Sequence, residues 1–280
     1  MKALTTRRTF LSLAAGAAGS VAAGWTASGA RKIPPIGMQL YCVRKELAQN
    51  LEKTIADVAA LGFEGVEFAD YFGRSAQELR RVLDANGLKC CGTHIMLDDM
   101  LGDRLAATID FNRTLGNPYL IVRWLPEARR NSQTAFAETV RTFSDIAARL
   151  EPHGLRIGYH NHDYIFQRFN GELLWNILAD GTPRSVVLQL DTGNAAATGQ
   201  DPVQLLKRNE GRTATIHLKP YSKKNPDAFI GDDELPWPTI LELCLTVGGT
   251  EWFIVEYEQE GIPPLEALKA NLERVKQLLA

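Results

Sequence analysis

Positive charge is not in excess in this 280-residue chain: 31 Lys and Arg face 33 Asp and Glu, for a formal net charge of −2. A surface so balanced offers no electrostatic footprint to a polyanion, and nucleic acid is excluded as a partner. Cysteine is scarce, four residues with no Cys-x-x-Cys among them, which removes a thiolate zinc site. Cys90 and Cys91 are neighbours on one predicted strand and must point to opposite faces, while Cys42 and Cys244 fall in different units. An even count permits disulfides in an exported protein, but burial as small apolar side chains is the expectation. Long apolar runs are also missing. The longest mild one, Leu13 to Ala23, is too short to cross a bilayer, so no stable membrane anchor is expected.

That run belongs to a different device. Thr6-Arg-Arg-Thr-Phe-Leu11 resembles a twin-arginine export signal, no acid occurs in the first thirty residues, and Ser28-Gly-Ala30 suits cleavage. Residues 1–30 are therefore expected to be removed. Loss of Lys2, Arg7 and Arg8 takes the formal charge from −2 to −5, giving a mildly acidic protein in the periplasm or secreted, with the twin-arginine translocase as its partner during export. That route carries folded proteins and suits an enzyme loaded with metal beforehand. The sequence leaves the oligomeric state open, a homo-oligomer included.

From residue 31 onward the chain alternates between two patterns. Short apolar, β-branched runs predict strands at 36–43, 65–69, 89–95, 119–124, 156–162, 186–191, 213–219 and 252–257. Between them lie helical periodicities, clearest at Leu51, Ile55, Val58 behind an Asn50 cap, at Phe136, Val140, Phe143, Ala147, Leu150, and at Leu265, Leu268, Leu272, Val275, Leu279. Gly62, Gly87, Gly116 and Gly154 stand where helix C-caps are due. Eight alternations with no Pro- or Ser-rich linker predict one α/β domain, a single (β/α)8 barrel over 31–280, a fold that runs to about 250 residues. The polar insertion at 221–238 follows the seventh strand and is expected to lie over the mouth as a lid.

Four of the strands end in metal-capable side chains: His160, Asp191, His217 and Glu256, roughly one strand-plus-helix unit apart. A parallel barrel gathers such ends on one face, where the chemistry of that fold is placed. Each residue alone has a bland reading, a hydrogen-bonded structural His or a turn-forming Asp. Four together would be a costly set of buried polar groups unless a cation joined them. Period-two alternation adds His162 beside His160, Lys219 beside His217 and Glu258 beside Glu256. Gln39 and Tyr41 on the first strand, Glu67 on the second and His94 on the third are expected to bind substrate at the same mouth. Trp237 would supply a sugar-stacking face from the lid. Core packing is an equal reading for Tyr41 and Trp237, and strand register leaves open which of Arg123 and Trp124 faces in.

The runs Tyr159-His-Asn-His162, Leu190-Asp-Thr-Gly-Asn194, Ile216-His-Leu-Lys219 and Val255-Glu256, with Gly37-Met-Gln-Leu-Tyr41 and Gly231 to Trp237, resemble the xylose isomerase-like TIM barrels of the sugar phosphate isomerase/epimerase type. The resemblance covers Ile33 to Ala280. It implies a divalent ion, Mn²⁺ first with Co²⁺, Mg²⁺ or Zn²⁺ as alternatives, held by ligands at the positions of His160, Asp191, His217 and Glu256. One departure stands out. Many epimerases of the family carry Glu where this chain has His160, and that Glu is their second acid/base. A His-x-His on this strand is similar instead to the branch with inosose dehydratase-like enzymes. Pro220 also stands where the family has an Asp.

The chemistry follows from the residue types. A cation at a mixed imidazole and carboxylate site can polarise the carbonyl and neighbouring hydroxyl of a keto sugar while a carboxylate, Glu256, removes the proton between them. A second group, His162, Lys219 or His94, then decides the outcome. Returning the proton on the other face gives an isomerase or epimerase; protonating a β-oxygen gives a lyase acting on a 3-keto glycoside or inosose, close to parity once His160 replaces Glu. A sugar-binding barrel without catalysis is the third reading. No Gly-rich phosphate loop follows the last two strands, so a phosphorylated substrate is not indicated.

Overall fold

The computed structural model describes residues 32–280, of which Ile33–Ala280 form one unit. The export-signal reading concerns residues 1–30 and lies outside the described residues. Strands β1 (Ile36–Gln39), β2 (Gly65–Phe68), β3 (Lys89–Ile95), β4 (Tyr119–Val122), β5 (Arg156–His160), β8 (Val187–Asp191), β9 (Thr215–Leu218) and β10 (Trp252–Val255) pair in parallel and close on themselves, β10 against β1. β6 (Arg168–Phe169) and β7 (Glu172–Leu173) form a separate antiparallel hairpin behind β5. The eight-stranded ring with its helices is the expected (β/α)8 barrel.

These strands are continuous apolar runs because both faces are covered, the outer by helices and the inner by the barrel's own side chains. Tyr119-Leu-Ile-Val122 and Trp252-Phe-Ile-Val255 are buried throughout. The helix at 51–60 starts where Asn50 accepts a hydrogen bond from the Lys53 amide at 2.9 Å, and the one at 133–150 where Ser132 accepts from Ala135. The latter buries Phe136, Val140, Phe143, Ile146, Ala147 and Leu150. Gly116 and Gly154 end their segments in the left-handed conformation, φ 76° and 68°, which a Cβ would strain.

Inside the ring, Cys91, Tyr119, Ile121, Val187, Ala214, Trp252 and Ile254 make a cluster separate from the outer core, and most of them sit at the N-terminal ends of their strands. That end is plugged with apolar side chains, so polar groups collect at the other. All four cysteines are buried and free, Cys90 in the outer core and Cys91 in the inner cluster. Among the described residues no helix is long and apolar enough to cross a membrane.

One expectation is corrected. The first strand stops at Gln39 rather than Val43, because the Gln39 side chain accepts from the Tyr41 amide at 3.0 Å and starts a 3-10 turn over Leu40–Val43. Tyr41 therefore sits on the rim and not on an inward strand face. The segment from Tyr221 to Pro236, expected as a lid, is tied to the last helix, Pro264–Leu279, and to Tyr257. The Ile230 amide donates to Asn271 Oδ1 at 2.9 Å, Arg274 pairs with Asp232 at 2.5 Å, and Tyr257 Oη donates to the Asp227 carbonyl.

Candidate metal centre

His160 closes β5, Asp191 closes β8, His217 is the third residue of β9 and Glu256 follows β10 directly, so strand ends deliver all four side chains. One donor atom from each lies within 4.8 Å of the others, and all four residues are buried. His160 Nε2 and His217 Nδ1 each stand 3.9 Å from Asp191 Oδ2, and His217 Nδ1 meets Glu256 Oε2 in a short contact. Asp191 Oδ1 accepts from the Asn194 amide at 2.7 Å, but Oδ2 is buried with no hydrogen-bond partner. A buried carboxylate oxygen rarely goes unsatisfied, and two imidazoles with two carboxylates around it are a donor set that suits a divalent cation. The residues fit the group.

What lies beneath decides which imidazole nitrogen is free. Glu67 Oε2 accepts from His217 Nε2 at 2.6 Å, leaving Nδ1 to face the donors. Gln189 gives its amide nitrogen to Glu67 Oε1 at 2.7 Å and Thr215 Oγ1 at 2.9 Å, so its oxygen accepts from His160 Nδ1 at 2.9 Å and Nε2 is the free one. The same oxygen lies 2.9 Å from His94 Nε2, and Gln39 donates to Glu67 Oε2 at 2.7 Å. Orienting partners of this kind hold ligating imidazoles in one tautomer.

Glu67 fits inside the barrel because Gly92 faces it, across a register shift between β2 and β3. A Cβ at Gly92 would come 2.4 Å from Glu67 Oε1. Gly92→Ala is expected to cost about 1–3 kcal/mol of stability and to weaken metal uptake by displacing Glu67. Thermal denaturation and metal titration check this, and an unchanged variant would show that the carboxylate has room to spare.

Charge in the cluster is set by burial against neighbours. Burial pushes the Asp191 carboxyl up to about 7, against the pull of the Lys219 ammonium. Burial also works to raise Glu256, but Lys219, 2.8 Å from its Oε1, and His217 overcome it and hold it well below the usual carboxylate range. Burial opposes charge on His217, yet Glu67 and Glu256 raise it to about 10. His160, buried and beside His217 and His94, is held well below the ordinary imidazole value. A cation must therefore displace the protons on His217 and on part of the Asp191 population. Metal uptake at pH 7 is expected to release about one to two protons, and apparent affinity to rise with pH. Calorimetry in buffers of different ionisation enthalpy reads this directly; buffer-independent heats would contradict it.

Above the cluster opens a cavity of 420 Å³ lined by Gln39, Tyr41, His94, His160, His162, Glu256 and Glu258, with Ala69, Arg123 and Trp124. Of the residues expected to bind substrate, Gln39, Tyr41 and His94 reach it. Glu67 does not: it is wholly buried one layer below, engaged by His217, Gln39 and Gln189. Of the two readings of Trp237, core packing holds: it is buried at the start of a helix with Nε1 donating to Asp233 Oδ1. Lys219 pairs with Glu256 and Glu258 instead of facing the cavity. His162 lines the cavity with Nδ1 unpartnered, and both Arg123 and Trp124 reach it, since β4 ends at Val122 before register decides between them. Gln189 was missed, although it shares the Asp191 face two residues earlier; Glu258 was placed on the mouth but given no role.

Comparison with known proteins agrees with this fold. The chain is 24% identical to the rhizopine catabolism protein MocC of Rhizobium meliloti over an alignment covering 82% of each chain. It is 21% identical to an inosose dehydratase of Lactiplantibacillus plantarum, with 82% of this chain and 89% of that protein covered. Among solved structures it is similar to a sugar phosphate isomerase/epimerase from Parabacteroides distasonis, TM-score 0.75, 20% identity, covering 88% of this chain and 97% of the other. It is also similar to an L-ribulose 3-epimerase, TM-score 0.66, 16% identity, over 88% and 94%. The family model described as a xylose isomerase-like TIM barrel matches residues 55–278, and the chain belongs to that family.

Proposed function

We propose that this protein is a divalent-metal-dependent enzyme of sugar metabolism that removes the proton next to a carbonyl of a keto sugar or keto-polyol and expels a β-oxygen substituent, a carbon–oxygen lyase. The observation that carries this reading is that strand five brings an imidazole, not a second carboxylate, to the site. Glu256 faces the cavity beside the donor cluster, and the strand-five position that would supply a second carboxylate is His160, whose Nδ1 is engaged by Gln189. The curated relatives named inosose dehydratase support the same outcome. When bound, the cation, Mn²⁺ or a similar ion, would be held by His160, Asp191, His217 and Glu256 and would make the proton next to the carbonyl acidic.

The protein's own groups do the rest. Glu256 takes the proton; the pair left in the C–H bond forms the C=C bond as the C–O bond to the β-substituent breaks and the oxygen leaves with its electrons. Lys219, bonded to Glu256 Oε1, keeps the base ionised until that moment. The leaving oxygen takes its proton from His94, which lines the cavity and is held by Glu67 and Gln189. Burial disfavours charge on His162, so it presents a neutral ring to the sugar at the cavity wall.

Isomerisation or epimerisation is the second reading, favoured by His94 and His162 at the cavity wall as groups that could return the proton. Incubating the Mn²⁺-loaded protein with keto sugars and 3-keto glycosides in D₂O separates the two. Enone absorbance with release of water or alcohol supports the lyase, whereas deuterium at the α-carbon with all oxygens retained would replace it by the isomerase. Export through the twin-arginine route to the periplasm, already folded, is part of the proposal and is tested by locating the full-length chain after fractionation.

A further inference from the structure

Few large apolar side chains are left in water. Among the described residues they are Ile33, Tyr41, Trp124 and Leu278, and two of the four border one cavity, the one above the metal cluster: Tyr41 at 41% exposure and Trp124 at 42%. Tyr and Trp, apolar in body with a polar tip, are enriched where a site is part apolar and part wet.

Both are held in place by the fold. Tyr41 donates its amide to Gln39 Oε1, its carbonyl accepts from Arg44 Nη1 at 2.8 Å, and the Arg44 guanidinium lies 4.1 Å from its ring centroid. Trp124 is pinned on either side. Arg123 Nη1 donates to the Ala69 carbonyl at 3.0 Å, and the next amide, that of buried Leu125, donates to Tyr164 Oη at 3.0 Å. Backbone anchored before binding leaves less freedom to lose when a ligand arrives.

The cavity is thus built in two tiers, with His94, His160 and Glu256 at its polar floor and Tyr41 and Trp124 at its rim. At 420 Å³ it lies in the range that accommodates a ligand of more than one ring, about 300–1,000 Å³. Beyond Tyr41 the space continues: a second hollow shares Tyr41, Ala69 and Arg123 and adds Phe72.

We propose that the rim is a subsite for the leaving group, and that the substrate is a glycoside with an aromatic aglycone, its sugar ring at the floor and its aglycone against Tyr41 and Trp124. This rests on the sugar reading above and adds the half of the substrate that the chemistry does not require.

The test uses unreactive glycosides lacking the keto group, methyl and phenyl glucosides in both anomeric forms, titrated calorimetrically into the Mn²⁺-loaded full chain. The phenyl compound is expected to bind about tenfold or more tightly than the methyl one in at least one anomeric form. Trp124→Ala should remove most of that preference, Trp124→Phe should keep most of it, and Tyr41→Ala should reduce it. If methyl and phenyl glucosides bind equally, the subsite is refuted while the sugar reading stands. If the preference survives in both alanine variants, the rim is not its source and the proposal fails. Binding of neither compound overturns the subsite and the sugar reading together.

Discussion

Glu256→Gln is expected to fold like the native protein and to lose turnover by about 10²- to 10⁴-fold, the usual contribution of a positioned acid/base group. The change is nearly isosteric, and the amide can still accept from Lys219, so the barrel has no reason to open. The lost capacity is the lone pair that takes a proton from carbon. Because Glu256 is also one of the four donors, metal content must be measured and equalised before rates are compared. Circular dichroism and the melting midpoint check the fold. Retained turnover at equal metal occupancy would remove Glu256 from the base role and leave the proposed reaction without one.

The second large effect is expected one layer lower, at Glu67. Its carboxylate accepts from His217, Gln39 and Gln189 at once, all within the barrel interior. Glu67→Ala leaves those donors facing a void and is expected to destabilise the protein by about 3–5 kcal/mol, the range for breaking a buried charged pair. Glu67→Gln should fold, but a neutral amide neither holds the His217 Nε2 proton as firmly nor balances charge in the cluster. A fall of about 10- to 100-fold in metal affinity is expected, as for other orienting partners of ligating imidazoles. Titration of the apoprotein with Mn²⁺ reads this without any assay of activity. ¹⁵N shifts of the His217 ring report the tautomer independently. Native affinity and an unchanged tautomer in Glu67→Gln would show that Glu67 is merely a packed residue.

The metal-capable strand ends were visible in the primary structure because a barrel strand carries its signal locally. Val187-Leu-Gln-Leu-Asp191 and Trp252-Phe-Ile-Val255 are apolar runs ended by, or followed by, one charged residue, and closure sends such ends to one mouth. The helices were equally legible, since Asn50 and Ser132 cap amides only three residues away. Glu67 was read as a substrate group for the same local reason: alternation says which face a side chain takes but not its depth along the barrel axis. That depth depends on the β2–β3 register shift and the missing Cβ at Gly92, a contact between two strands.

The packing of the segment before Trp237 was out of local reach on similar grounds. Its composition marks a loop, but which surface it covers is set by Asn271 and Arg274, some forty residues further on. Local periodicity thus specifies the strands, the helices and the side chains available at the mouth. Depth, tautomer and the choice between rim and core arise only when distant elements meet, because hydrogen bonds and steric limits between strands act across separations that a short window of residues does not contain.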